Sequence, residues 1–127
     1  MKNNVFDDAI FKYGWNVTSI ITLWGVQYNI VATAKAYCET DTITQEQKIA
    51  YSAFLANQNA EQRSVEVLLE SFAEGITEAK SRFCPTTMLF QRDGSCALLC
   101  DDKELPDEGV AVCLSPKKMV ISQDAYL

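Results

Sequence analysis

The spacing of apolar residues changes period twice along this chain. That change restricts the available folds more than any single motif does. Val26, Tyr28, Ile30, Ala32 and Ala34 alternate with Gln27, Asn29, Thr33 and Lys35, interrupted only by Val31. Successive strand side chains point to opposite faces, so this alternation predicts a half-buried antiparallel strand. The preceding run, Val17 to Trp24, carries apolar groups on both faces and predicts a central strand. Gly25 separates the two runs and predicts a hairpin hinge, because glycine takes positive φ at little cost. A further short strand is expected from Ala9 to Tyr13, closed by Gly14.

From Thr44 the apolar period becomes helical. Thr44-Gln45-Glu46-Gln47 is a capping box, in which the Thr hydroxyl meets the third amide and the Gln side chain reaches back. Ile49, Ala50, Ala53, Phe54 and Asn57 then trace one stripe. Asn59 is placed to cap a second helix, with Gln62 three residues on. In that helix Val65, Leu68, Leu69, Phe72 and Ile76 fall at core-facing spacing, and Gly75 lies near its frayed end. The break at Asn57 to Asn59 predicts a helical hairpin or one bent helix.

The strand period returns after Cys84-Pro85. Arg92-Asp93-Gly94-Ser95 lies between two apolar runs, and Asp-Gly in that setting is a strong hairpin signal. "DDKELPDE" reads as a polar loop, "GVAVCL" as a buried strand, Ser115-Pro116 as a turn and "MVI" as a last short strand. Strands, then helices, then strands predict an α+β fold. The expected form is a mostly antiparallel β-sheet with a two-helix segment inserted between an N-terminal β-hairpin and C-terminal strands. The order is β-β-(β)-α-α-β-β-β-β, with the helix pair on one face. The 127 residues fit a single domain, 1–127.

The formal net charge is −6. This argues against a nucleic-acid or anionic-membrane partner, since both need clustered Lys and Arg. No run approaches the roughly 18 apolar residues of a membrane span. The start, MKNNVFDDAIF, does not read as a secretory signal. Five cysteines without paired spacing then predict reduced thiols and a cytoplasmic protein.

The chain has no histidine, which removes histidine-based triads, histidine acid–base chemistry and most zinc sites. Cys96 and Cys100 fall on one face of a strand and Cys113 on its neighbour. Their setting reads as core in preference to a three-thiolate metal site. Cys38 and Cys84 are the better candidates for a reactive thiol, although no activating base stands near either in sequence. Trp15, Trp24, Tyr13, Tyr28 and Tyr37 read as core and cross-strand packing. Asp101, Asp102, Glu104, Asp107 and Glu108 crowd one loop, with Lys103 the only cation. Their order does not match a calcium-binding frame. They make a candidate interaction loop for a basic protein partner. No catalytic residue, cofactor or metal is expected.

The order "YGW…ITLWGVQYNI", "ITQEQKIAYSAFLAN", "PTTMLFQRDGSCALLCDD" and "ISQDAYL" resembles an uncharacterised bacterial domain family of small stand-alone cytoplasmic proteins. The resemblance is carried by Trp15, Trp24, Gly25, Asp93, Gly94, Gly109, Gln123, Asp124, Tyr126 and Leu127. It implies one domain and structural roles for these positions. It also implies that the closing Gln123-Asp124-x-Tyr126-Leu127 docks its last two side chains on the fold. In size and acidity the chain is also similar in style to immunity proteins of bacterial toxin systems. The leading expectation is therefore a non-catalytic protein-binding or immunity-type module. Two alternatives stand beside it: an enzyme working through carboxylates or a lone cysteine, and a structural homo-oligomer such as a dimer paired through a free sheet edge.

Overall fold

The computed structural model describes residues 5–127, so Met1 to Asn4 of the expected domain lie outside the described residues. The chain first forms a two-residue strand, β1 (Ile10–Phe11), then the hairpin of β2 (Trp15–Leu23) and β3 (Val26–Ala34). Trp24 and Gly25 turn that hairpin at φ 51° and 75°. Positive φ at both central residues is the type I′ geometry, whose twist matches that of the flanking strands.

Three helices follow, α1 (Gln45–Ala56), α2 (Gln58–Ala73) and α3 (Ile76–Arg82). The capping box forms as expected: Gln47 N–H donates to Thr44 Oγ1 at 3.1 Å and Thr44 N–H to Gln47 Oε1 at 2.9 Å. Three details differ from the sequence reading. The buried face of α1 is Gln47, Tyr51 and Phe54, while Ile49 is exposed. Asn57, in place of Asn59, joins the first two helices, with no side-chain capping bond to α2. Glu74 in the left-handed conformation and Gly75 at φ 156° end α2, so Ile76 opens a third helix.

Four strands complete the sheet: β4 (Phe83–Phe90), β5 (Cys96–Asp102), β6 (Val110–Ser115) and β7 (Met119–Ser122). The Asp93-Gly94 hairpin joins β4 and β5, and the pairing register shifts between Pro85 and Thr87. A proline cannot donate to the ladder, and a local irregularity accommodates it. The seven strands lie in sequence order, and all neighbours are antiparallel except β3 and β4. That parallel pair requires a long crossover, which the helical segment provides. The fold is thus α+β with a mostly antiparallel sheet, larger and with one more crossover helix than the sequence pattern implied.

A row of α2 side chains covers the edge of β2 that β1 leaves open. Gln58 Nε2 donates to Ile20 O at 2.9 Å, Thr22 N–H to Gln62 Oε1 at 2.8 Å, and Trp24 N–H to Glu66 Oε2 at 2.6 Å. Four residues along a helix rise about 6 Å and two along a strand about 6.8 Å, so the two rows stay in step. The same helix touches β6 and β7, four and five strands away from β2, so the sheet curls around it. Ile21, Leu23, Ile30, Met88, Phe90 and Leu98 fill the concave side with Tyr51, Phe54, Val65 and Leu69 from the helices.

The outer face carries a second, smaller cluster of Ala97, Ala111 and Cys113, against which Tyr126 packs. Ser122 caps the terminal turn, α4 (Gln123–Tyr126), by accepting from Ala125 N–H at 3.1 Å. The expected docking of the tail therefore holds for Tyr126. It does not hold for Leu127, which is 64% exposed. The short helix turns Leu127 away while small alanines make room for the ring. Burial raises the Tyr126 phenol above its ordinary value, and the Gln91 side chain pulls the other way. Tyr126 Oη is nevertheless buried with no hydrogen-bond partner among the described residues. Removing a buried orphan hydroxyl relieves its desolvation cost. Tyr126→Phe is expected to raise stability by about 1 kcal/mol. Tyr126→Ala is expected to lower it by about 2 kcal/mol. Urea unfolding of both variants checks this, and a Phe variant less stable than wild type would mean the hydroxyl is bonded.

Candidate functional site

The acidic loop begins where β5 ends, and its first two acids face opposite ways. Asp101 is exposed, whereas the next residue along the strand, Asp102, turns inward and is 1% exposed. Asp102 meets Arg82, the last residue of α3, in a bidentate pair. Nε donates to Oδ1 at 2.7 Å and Nη2 to Oδ2 at 2.9 Å. The Arg82 hydrogen bond holds the Asp102 carboxyl below the usual carboxylate range, against the opposing effect of burial. Asp102 is therefore not part of an acidic docking surface: it anchors the loop.

The rest of the loop is built on that anchor. Lys103 N–H donates to Arg82 O at 2.9 Å and Glu104 N–H to Asp102 Oδ1 at 3.0 Å. Leu105 N–H returns to Asp102 O at 3.1 Å, and Gly109 N–H to Leu105 O at 3.1 Å. Gly109 has φ 65°, and a Cβ there would lie 2.9 Å from Cys100 O and collide with the Gln123 side chain. Gln123 Nε2 in turn donates to Cys100 O at 2.9 Å, tying the far end of the loop to the C-terminal turn. Asp101, Glu104, Asp107 and Glu108 remain exposed on this fixed frame.

The guanidinium of Arg82 also lies 5.5 Å from the Phe72 ring centroid and 4.9 Å from that of Phe83. Phe72 and Leu105 are 45% and 44% exposed. The surface around the ion pair thus has apolar groups beside exposed carboxylates. Sequence reasoning missed Arg82 and Phe72. Arg82 is twenty residues from Asp102 and carries no local signal. Phe72 reads as core by its helical spacing, yet the end of α2 lifts it to the surface.

The cysteines do not converge. Cys96 and Cys100 point into the main core, while Cys113 lies on the outer face with Ala97 and Ala111. Burial pushes the Cys96 thiol up to about 11, with Glu61 adding to the effect. Burial also raises Cys100 and Cys113. The exposed Cys38 lies 3.0 Å from Thr40 Oγ1, and the exposed Cys84 lies opposite Asp101 in the β4–β5 ladder. Among the described residues no group of three or more Cys, Asp or Glu is placed to hold a metal ion.

Most of the positions that carried the family resemblance act as joints. Trp15 Nε1 donates to Asp41 O at 2.7 Å, fixing the segment that leads to α1. Trp24 Nε1 donates to Glu70 Oε2 at 2.9 Å, so α2 holds the left-handed tryptophan of the turn. Gly94 lies against the backbone of Glu46, where a Cβ would be 3.0 Å from its carbonyl oxygen. Asp124 is exposed in the first turn of α4. Tyr13 and Tyr37, expected in packing roles, are 91% and 76% exposed. Both lie just beyond the strand ends, where no opposing layer covers them.

Fold and site together describe an α+β protein whose curled mixed sheet presents a braced acidic loop. No protein-family model matches the chain, and neither a curated protein nor a solved structure matches it significantly. No described helix is long and apolar enough to cross a membrane.

Proposed function

We propose that this protein is a non-catalytic binding module. Its β5–β6 loop, with Phe72 and Leu105 beside it, engages a basic protein partner. One observation carries the reading: four exposed carboxylates stand on a loop braced from beneath by a buried bidentate ion pair. A braced loop loses little conformational entropy on binding, so its charge complementarity is retained as affinity and as a faster association rate. Apolar groups ringed by polar ones are the usual anatomy of a protein interface. Burial of Cys96, Cys100 and Cys113 and the raised pKa of each favour packing roles for these three thiols, since the thiolate is the nucleophile. An immunity-type protein, blocking a basic target with this face, is the specific form that fits best. The free state of all five cysteines supports a cytoplasmic setting.

The test is a charge-reversal variant, Asp101→Lys/Asp107→Lys/Glu108→Lys, which leaves Asp102 and Arg82 in place. Wild type should capture a basic protein from the native cells, with cross-links mapping to residues 101–108. The variant should associate at least about tenfold more slowly at low salt, with the difference shrinking as salt rises. Capture that is equal for both forms, cross-links elsewhere, or no captured protein would each overturn the proposal.

A further inference from the structure

A cleft of about 660 Å³ lies at the end of the sheet opposite the acidic loop. It sits where β3 ends, between the β4–β5 and β6–β7 turns, with Tyr126 among its lining residues. The volume is within the range of about 300–1,000 Å³ typical of small-ligand sites. Its charge runs against that of the molecule. The chain has 17 acids and 11 Lys or Arg, yet among the described residues this cleft is lined by Lys35, Arg92 and Lys117 against a single carboxylate, Asp93. That carboxylate is engaged within its own turn. It accepts from Ser95 N–H at 2.9 Å, and this bond holds it below its ordinary range.

The cationic groups come from separate elements, and one of them is fixed. Arg92 Nη1 donates to Lys35 O at 3.1 Å and to Thr42 O at 2.9 Å, while Thr44 Oγ1 donates to Arg92 O at 2.8 Å. Guanidinium has five donors, so three remain beyond the two that Nη1 supplies. The Lys35 ammonium lies 5.7 Å from the Tyr37 ring centroid, which places a largely exposed aromatic face beside a cation. Ser95 and Ser115 add hydroxyls, and Met119 and Pro116 add apolar wall. Donors and positive charge select an oxyanion, and the aromatic and apolar walls select the body that carries it.

We infer that this cleft binds a small organic anion, a phosphate or carboxylate borne on an aromatic or apolar body. The site is separate from the acidic loop, being at the other end of β5, so the two can fail independently.

Amide NMR titrations with phenyl phosphate, benzoate and inorganic phosphate test it. At least one aromatic probe should give saturable shifts confined to residues 91–95 and 115–119, with a Kd below about 1 mM. Inorganic phosphate should move the same amides more weakly. Lys35→Glu and Lys117→Glu should each weaken the aromatic probe about fivefold with unchanged melting temperature. Lys103→Glu, on the acidic loop, should leave it unaltered. Absence of saturation by about 10 mM, shifts mapping elsewhere, or cleft variants that bind like wild type would overturn the inference.

Discussion

Replacing Arg82 with alanine should cost the fold about 3–5 kcal/mol, because it strands a buried carboxylate. A typical domain has about 5–15 kcal/mol in all, so the variant should be close to unfolding at ordinary temperature. The Asp102 side chain is 0% exposed and Arg82 is its bidentate partner, so the truncation removes both guanidinium bonds that offset the carboxylate's desolvation. The double variant Arg82→Met/Asp102→Leu should recover most of the loss, since apolar replacements of a buried pair leave no orphan charge. Urea unfolding at constant m-value measures both. An Arg82→Ala variant within about 1 kcal/mol of wild type would show that the pair does not brace the loop.

The same pair sets a pH dependence with a definite sign. The Asp102 carboxyl is held below its unfolded value, first by the Arg82 hydrogen bond. Its contribution is therefore fully present above the unfolded value of about 3.9 and is lost as pH falls through the lowered folded value. Asp102→Asn should start less stable at neutral pH and lose less on acidification below about pH 4. Equal acid slopes for the two proteins would assign the effect to other carboxylates.

Gln47 carries the second large effect. It is fully buried, and its Nε2 donates to Lys35 O at 3.0 Å and Phe90 O at 3.1 Å. Lys35 N–H also donates to Phe90 O at 2.9 Å. One amide thus clamps the first residue after β3 to the last of β4 while completing the cap of α1. Gln47→Leu should cost about 2–4 kcal/mol through the lost cap and the weakened clamp. That corresponds to a fall of about 8–16 °C in Tm. Gln47→Glu should be worse despite its matching shape, because it sets a carboxylate against two buried carbonyl oxygens. A Glu variant as stable as the Leu variant would indicate that the pocket admits water.

The strand and helix periods were legible because both are local. The Thr44 box, the Trp24-Gly25 turn and the Asp93-Gly94 hairpin depend on residues within a few positions of each other, where backbone preference and short-range bonds decide. The core character of Cys96 and Cys100 was legible for the same reason. The two-residue β1 was expected as an added strand, and its actual bounds are shorter than the pattern from Ala9 to Tyr13. The third helix was not legible, because Ile76 continues the apolar stripe of α2 and the break is made by Glu74 adopting a left-handed conformation that its side chain does not advertise.

The candidate sites divide along the same line. The acid-rich stretch from Asp101 to Glu108 was evident from composition, since charge is a property of each residue. Which acid is a structural anchor was not, because Asp102 differs from Asp101 only in the face of the strand it occupies and in the arginine that meets it. The reversed charge of the far cleft had no local trace at all, since Lys35, Arg92 and Lys117 lie far apart in the chain and are assembled by three different strand ends. Sequence alone determined the kinds of element, their order and the overall acidity, all set by local chemistry. Only the tertiary structure decided the parallel β3–β4 pairing, the curl of the sheet around α2 and the residues that share a surface, because each depends on contacts between distant segments that compete for one interior.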